Sequence, residues 1–351
     1  MKQRLVLICF FLLSLNSFGQ KKPKRISDNL SYTKLNKSTY IIVSHGYCNG
    51  LVYVDGKEAA IISTPTSDTA TKELVQWINT KLKAQVVACI ADHWHADAME
   101  GIDVLQAKGI KIYASKKTQL TAIQKHLPIP DISFDNEKII PVGNKTVVAS
   151  YFGPTHTADG CMVWLPDEKI LFGGCAMKSL GATPGNLGDA HLTEWSTSIE
   201  KVKAAYSDAK IVVPGHGKHG DTSLITYTIN MFAPFKNTFG GSRRVDYYNF
   251  SNGWSKILRY DRDSVANGKY FLIDAEVIVN RGDTDNIFIT SPALEYDSTH
   301  QTINANEGYC YIESTDAVKF KGKFGFMGLT LEPFTDRRGL SIMVDKFIFL
   351  R

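Results

Sequence analysis

In "ADHWHADAMEG" (91–101), His93, His95 and Asp97 occupy alternate positions directly after the apolar run "QVVACI". Two imidazoles and a carboxylate so close to a strand end point to a metal ion. The alternative is a polar loop whose side chains satisfy one another. Further ligand types downstream favour the metal: His156 in "YFGPTHTADG", Cys175 in "ILFGGCAMKSL" and His216 in "IVVPGHGKHGD" each follow an apolar run. Open α/β sheets gather ligand groups at such strand ends. Imidazole nitrogen, thiolate sulfur and carboxylate oxygen suit zinc. Four His, one Asp and one Cys exceed the needs of one tetrahedral ion. They suffice for two ions with three protein ligands each, leaving positions open for water and substrate, as catalytic zinc requires. Ligation also gives Cys175 a role, because a metal-bound thiolate is deprotonated and shielded from oxidation.

Strands and helices must bring these loops together. From about 30 to 235 short strands alternate with helical stretches. "STYIIVSHG", "GLVYVDG" and "AAIISTP" read as consecutive strands divided by turn residues. "SDTATKELVQWINTKLK" opens on a Ser/Asp cap and spaces Leu74, Trp77, Ile78 and Leu82 as a helix does. The strand "AQVVACIA" and a helix through "GIDVLQAKG" follow. The alternation resumes with "KTVVASYF", "CMVWLPDEKILFGG", a helix through "LTEWSTSIEKVKAAY", the strand "KIVVPG" and a last helix, "TSLITYTINMF". Such alternation indicates a layered α/β fold. After Phe235, "KNTFGGSRR" reads as a linker. Beyond it the aromatic-rich alternation and Gly/Asn/Asp turns predict an all-β region of roughly 100 residues, a sandwich or small barrel.

Composition narrows the class. Hydrophobic residues make up 44% and charged residues 21% of 351, as in ordinary globular proteins. The net charge of +5 comes without a long basic block, and "KKPKR" (21–25) reads as a solvated tail, so no nucleic-acid partner is indicated. "MKQR", the apolar "LVLICFFLLSL" and "NSFG" have the layout of a secretory signal peptide over residues 1–19. A membrane anchor is the alternative, but about 20 apolar residues are needed to span a bilayer. Export implies a periplasmic or secreted bacterial protein with no span in the mature chain. Cys48, Cys89, Cys161, Cys175 and Cys310 then remain, an odd number in a compartment that permits disulfides. Cys89 and Cys161 lie in strand-like runs and read as small core hydrophobes.

"HWHAD", "THTADG", "LFGGCAMKS", "GNLGDA" and "VPGHG" resemble, in order and spacing, the class B metallo-β-lactamases of subclass B1. The resemblance runs from about residue 26 to 235, about 60% of the chain. It implies an αββα sandwich of the metallo-β-lactamase fold over 20–235, followed by the all-β region at 236–351, whose partner is unknown. Ala98 after the motif Asp, and Cys175 as a ligand, argue against glyoxalase-like or nuclease-like members. By the resemblance, His93, His95 and His156 hold one zinc, and Asp97, Cys175 and His216 hold the second. Lys178 receives the substrate carboxylate, and Asn186 stands near the lactam carbonyl. Asp97 orients the nucleophile as well as ligating. The implied activity is that of a hydrolase acting on cyclic amides: hydroxide from zinc-held water opens the lactam of penicillins, cephalosporins and carbapenems.

The chain departs from that subclass in places. Its "IISTP" has Ser63 where an Asp is usual, so a carboxylate supporting the metal ligands is expected to be lost, with weaker zinc binding. The segment "SHGYCNG" (44–50) is short where relatives carry a hairpin over the site. An alternative reading is a zinc-binding protein or hydrolase of the same fold acting on another lactone, ester or amide, with the β region as a binding module.

Overall fold

A computed structural model of the chain describes residues 22–236 and, beyond them, most of the strands between 244 and 348. The signal-peptide reading at 1–19 and residues 237–243 of the linker read at 236–244 fall outside the described residues.

Two sheets form the centre of the first region. The first contains β1 (Lys24–Arg25), β2 (Leu30–Lys34), β3 (Thr39–Ser44), β4 (Cys48–Asp55), β5 (Glu58–Ile62), β6 (Gln85–Ile90), β7 (Lys111–Ser115) and β8 (Ile132–Phe134) in sequential order. Pairing is antiparallel through β5 and parallel from β5 to β8. The second sheet contains β9 (Glu137–Val142), β10 (Lys145–Ser150), β11 (Met162–Leu165), β12 (Ile170–Gly174) and β13 (Ile211–Pro214). Its β12–β13 pair is parallel.

Period-two alternation sorts the side chains into layers. In β5, Ala60 and Ile62 meet Val147, Val163 and Phe172 of the other sheet, whereas Ala59 and Ile61 face the helix side. Outside the first sheet lie α1 (Asp68–Trp77), α2 (Ala96–Met99), α3 (Ile102–Gln106) and α4 (Lys116–Gln124). Outside the second lie α5 (Leu192–Ala205) and α6 (Ser223–Phe232), whose Trp195, Ile199, Ile225 and Phe232 share a cluster with Leu171 and Val212. These four layers are the expected αββα sandwich. Helix α1 starts where its sequence predicts, with Ser67 Oγ accepting from the Ala70 N–H. Cys89 and Cys161 are core residues, as read.

The region between 110 and 142 carries elements the sequence pattern did not reveal: β7, α4, β8 and β9. These strands are short, three to six residues, and β7 and β9 open on exposed Lys111, Glu137 and Lys138, so each leaves too brief an apolar run to read as a strand.

Beyond 243 the described residues form one 11-stranded sheet with its own apolar cluster, including Leu258, Val277, Ile289 and Cys310. Lys269–Arg281 and Asp285–Asp297 are its long central strands, and each pairs with different neighbours at its two ends. The sheet therefore splits into two leaves. The ladder between them skips Pro292, which has no N–H to donate.

Candidate metal centre

Every proposed ligand stands just past a strand end. His93, His95 and Asp97 follow β6; His156 follows β10; Cys175 follows β12; His216 follows β13. The fold brings all of them together. His93, His95 and His156 form one cluster of potential ligand atoms, and His93, Asp97 and Cys175 form an adjoining one. In the first, His156 Nε2 lies 3.1 Å from His95 Nδ1. His93 Nε2 is buried without a hydrogen-bond partner among the described residues, and Asp97 Oδ1 is 3.4 Å away, outside hydrogen-bond geometry. In the second, Asp97 Oδ2 lies 3.1 Å from Cys175 Sγ and 3.2 Å from His216 Nε2, and the latter two atoms are 3.2 Å apart. A buried imidazole nitrogen with no partner, beside convergent thiol and carboxylate groups, fits a zinc donor set.

Electrostatics point the same way. Burial alone would lower the His93 ring, but the Asp92 and Asp97 carboxylates outweigh it and hold it well above the usual histidine range. Burial works likewise against His216, and contacts with Asp97, Cys175 and Cys48 raise it strongly. Asp97 is held far below the usual carboxylate range, against its own burial, by His93, His216 and Cys175. Carboxylate and imidazoles thus share protons that a metal cation would displace. His156 differs: burial, then the charges of Lys178 and the neighbouring histidines, keep it well below the usual range, in the neutral form a ligand needs.

A ring of supports fixes these side chains. Asp92 Oδ2 lies 3.1 Å from His93 Nδ1, and Ser63 Oγ donates to Asp92 Oδ1. The expectation that Ser63 leaves the ligands without a supporting carboxylate is therefore corrected: Asp92 supplies it, and Ser63 holds Asp92. Gly174, at φ +52°, makes room, since a Cβ there would lie 2.1 Å from Asp92 Oδ2. Asp189 Oδ2 performs the same service for His95 Nε2 at 3.0 Å. His216 Nδ1 lies 3.1 Å from the Tyr47 carbonyl, and the Tyr47 ring stacks on it. Asn49 Nδ2 donates to the carbonyls of Pro214 and Gly217, both at 2.9 Å, which fixes the His216 loop against β4. Sequence reading missed Asp92, Asp189 and Asn49. Asp92 borders His93 and Asp189 lies within "GNLGDA", so both were within reach, whereas nothing local marks Asn49.

Lys178 is buried, not an ordinary surface lysine, and its Nζ sits 5.0 Å from the centre of the Trp195 ring. Burial pushes its pKa down to about 8. No carboxylate among the described residues forms an ion pair with it, so its charge is desolvated. Asn186 is exposed, and its Oδ1 accepts from the Gly188 N–H at 2.8 Å. That turn engages the amide oxygen of Asn186 within its own loop. The segment 44–50 is a tight hairpin: Ser44 faces Cys48 across a three-residue turn, with φ +47° at His45 and +83° at Gly46. In the described residues no helix is long and apolar enough to cross a membrane.

Comparison with known proteins gives a consistent picture. The sequence profile described as "Metallo-beta-lactamase superfamily" matches residues 92–216. The chain is 39% identical over 217 residues to "Metallo-beta-lactamase type 2" of Bacteroides fragilis, covering 59% of this chain and 87% of that protein. Against the protein of the same name from Bacillus cereus it is 35% identical over 219 residues, covering 60% and 86%. Among solved structures, "Metallo-beta-lactamase from Pontibacter korlensis" superposes with a TM-score of 0.56 at 34% identity, covering 58% of this chain and 99% of that one.

Proposed function

The chain belongs to the metallo-β-lactamase superfamily of hydrolases, and from that premise we propose a two-zinc β-lactamase, exported to the periplasm or beyond, that opens penicillins, cephalosporins and carbapenems. The observation that carries this reading is the convergence of His93, His95 and His156 beside Asp97, Cys175 and His216. Zinc bound there lowers the pKa of water from 15.7 toward about 7 and polarises a carbonyl.

The chain's own groups do the rest. Lys178 offers the lactam's carboxylate a cation that burial has stripped of water, so the ion pair is stronger than at a surface. The Asn186 NH₂, whose partner oxygen is engaged by the Gly188 N–H, donates in this reading to the lactam carbonyl oxygen as negative charge gathers there. Asp97 orients the attacking water through the carboxylate that faces both clusters. Asp92 and Asp189 hold His93 and His95 in the tautomers that present Nε2 and Nδ1 to the metal. No protein nucleophile is required.

Turnover of a chromogenic cephalosporin by the full mature chain tests the reading. Activity is expected to disappear with a chelator, return with zinc, and resist inhibitors that acylate serine. Inhibition by those acylating agents, or activity indifferent to chelation, would overturn it.

A further inference from the structure

Cys48 has no role in that reading. It is the first residue of β4 and faces His216 in an isolated antiparallel bridge. Facing residues in such pairs hold their Cβ atoms about 4.5–5.5 Å apart. The neighbouring Asn49, with its two side-chain hydrogen bonds to the His216 loop, fixes that register. The Cys48 sulfur, an Asp97 oxygen and a His216 nitrogen all lie within 4.8 Å of one another. The same Asp97–His216 pair also receives Cys175 Sγ, at 3.1 and 3.2 Å.

The remaining cysteines differ. Cys89, Cys161 and Cys310 sit inside apolar clusters, where a thiol behaves as a small hydrophobe. Cys48 and Cys175 are equally buried, at 4% exposure each, yet belong to none of those clusters. Their surroundings are an imidazole, a carboxylate and each other's neighbourhood.

We propose that Cys48 is a fourth protein ligand of the ion held by Asp97, Cys175 and His216, so that this site can close around a soft divalent cation with two thiolates, an imidazole and a carboxylate. As the sulfur–metal bond forms, the thiol proton passes to solvent. Four protein ligands complete a tetrahedral shell, the arrangement of retained rather than exchangeable zinc. The ion at His93, His95 and His156 keeps its open position. The inference rests on the two-ion reading above and adds a ligand to it.

Cobalt(II) substitution of the full mature chain tests it without reference to turnover. Metal-free wild type, Cys48→Ser, Cys175→Ser and the double variant are titrated with cobalt, following the near-ultraviolet sulfur-to-metal charge-transfer band, and with zinc, following the second dissociation constant. Each single variant is expected to keep about half the band, with only the double variant losing it, and Cys48→Ser is expected to weaken the second zinc by at least ~10-fold. The histidine-held ion reports in every variant whether the fold survives. If Cys175→Ser erases the band while Cys48→Ser matches wild type in band and zinc affinity, Cys48 is not a ligand. A wild type with no thiolate band at two equivalents of cobalt would instead sink the two-ion reading itself.

Discussion

Replacing Ser63 with Asp restores the residue usual in the resembling subclass, and sequence reasoning alone expects improvement. The structure reverses that sign for the metal-free fold. Ser63 and Asp92 are 3% and 4% exposed and in direct hydrogen-bond contact, so a second carboxylate would press on the first where burial weakens screening by solvent. Two unit charges about 4 Å apart at an effective dielectric of about 20 repel by about 4 kcal/mol. Proton uptake caps the penalty at a similar value, because keeping a carboxyl of ordinary pKa ~3.9 protonated at pH 7 costs about 3 units at 1.36 kcal/mol each, or about 4 kcal/mol. The backbone does not object, since Ser63 has φ +61°, a region that Asp enters more readily than most residues. The new carboxyl's folded pKa is raised, so the penalty is absent below pH ~4, grows as pH rises above the unfolded value, and levels off above the folded one. Urea unfolding of chelator-treated protein at pH 5 and pH 7 measures this. Ser63→Asp should lose several kcal/mol at pH 7 relative to wild type, and clearly less at pH 5. Equal stability at both pH values would mean that Asp92 does not occupy the place of the missing carboxylate.

Three further outcomes are expected. Asp92→Asn removes the carboxylate behind His93 Nδ1 and should weaken the first zinc by ~10–100-fold, read by competition with a chromophoric chelator. Lys178→Ala should raise KM with little change in kcat. In wild type, KM for an anionic lactam should rise as pH increases through about 8, where the Lys178 cation is lost, and a flat KM profile up to pH 9 would contradict that role. A chain ending after Lys236 keeps Phe235 in its core cluster and retains every proposed ligand. It should bind zinc and turn over lactam within a few-fold of the full chain, whereas a soluble, zinc-loaded but inactive truncation would show that the β region completes the site.

The sequence by itself determined the kinds of proposed ligand and where each would stand. Apolar strands are local patterns, and His93, His95, Asp97, His156, Cys175 and His216 each follow one closely, so their strand-end positions are legible before any folding is considered. The layered architecture was legible for the same reason, except at β7 to β9, where the strands are only three to six residues long and leave too brief an apolar run to read. Only the tertiary structure decided what supports those ligands. Ser63 reaches Asp92 across 29 positions, Asp189 reaches His95 across 94, and Asn49 reaches Pro214 across 165. Cys48 likewise faces His216 only because segments from different sheets are bridged there. No periodicity encodes such pairs. A substitution such as Asp to Ser at 63 therefore reads as a loss along the chain, while in the folded protein the carboxylate is simply supplied from the neighbouring strand end, because packing fixes where charge must sit but not which residue brings it.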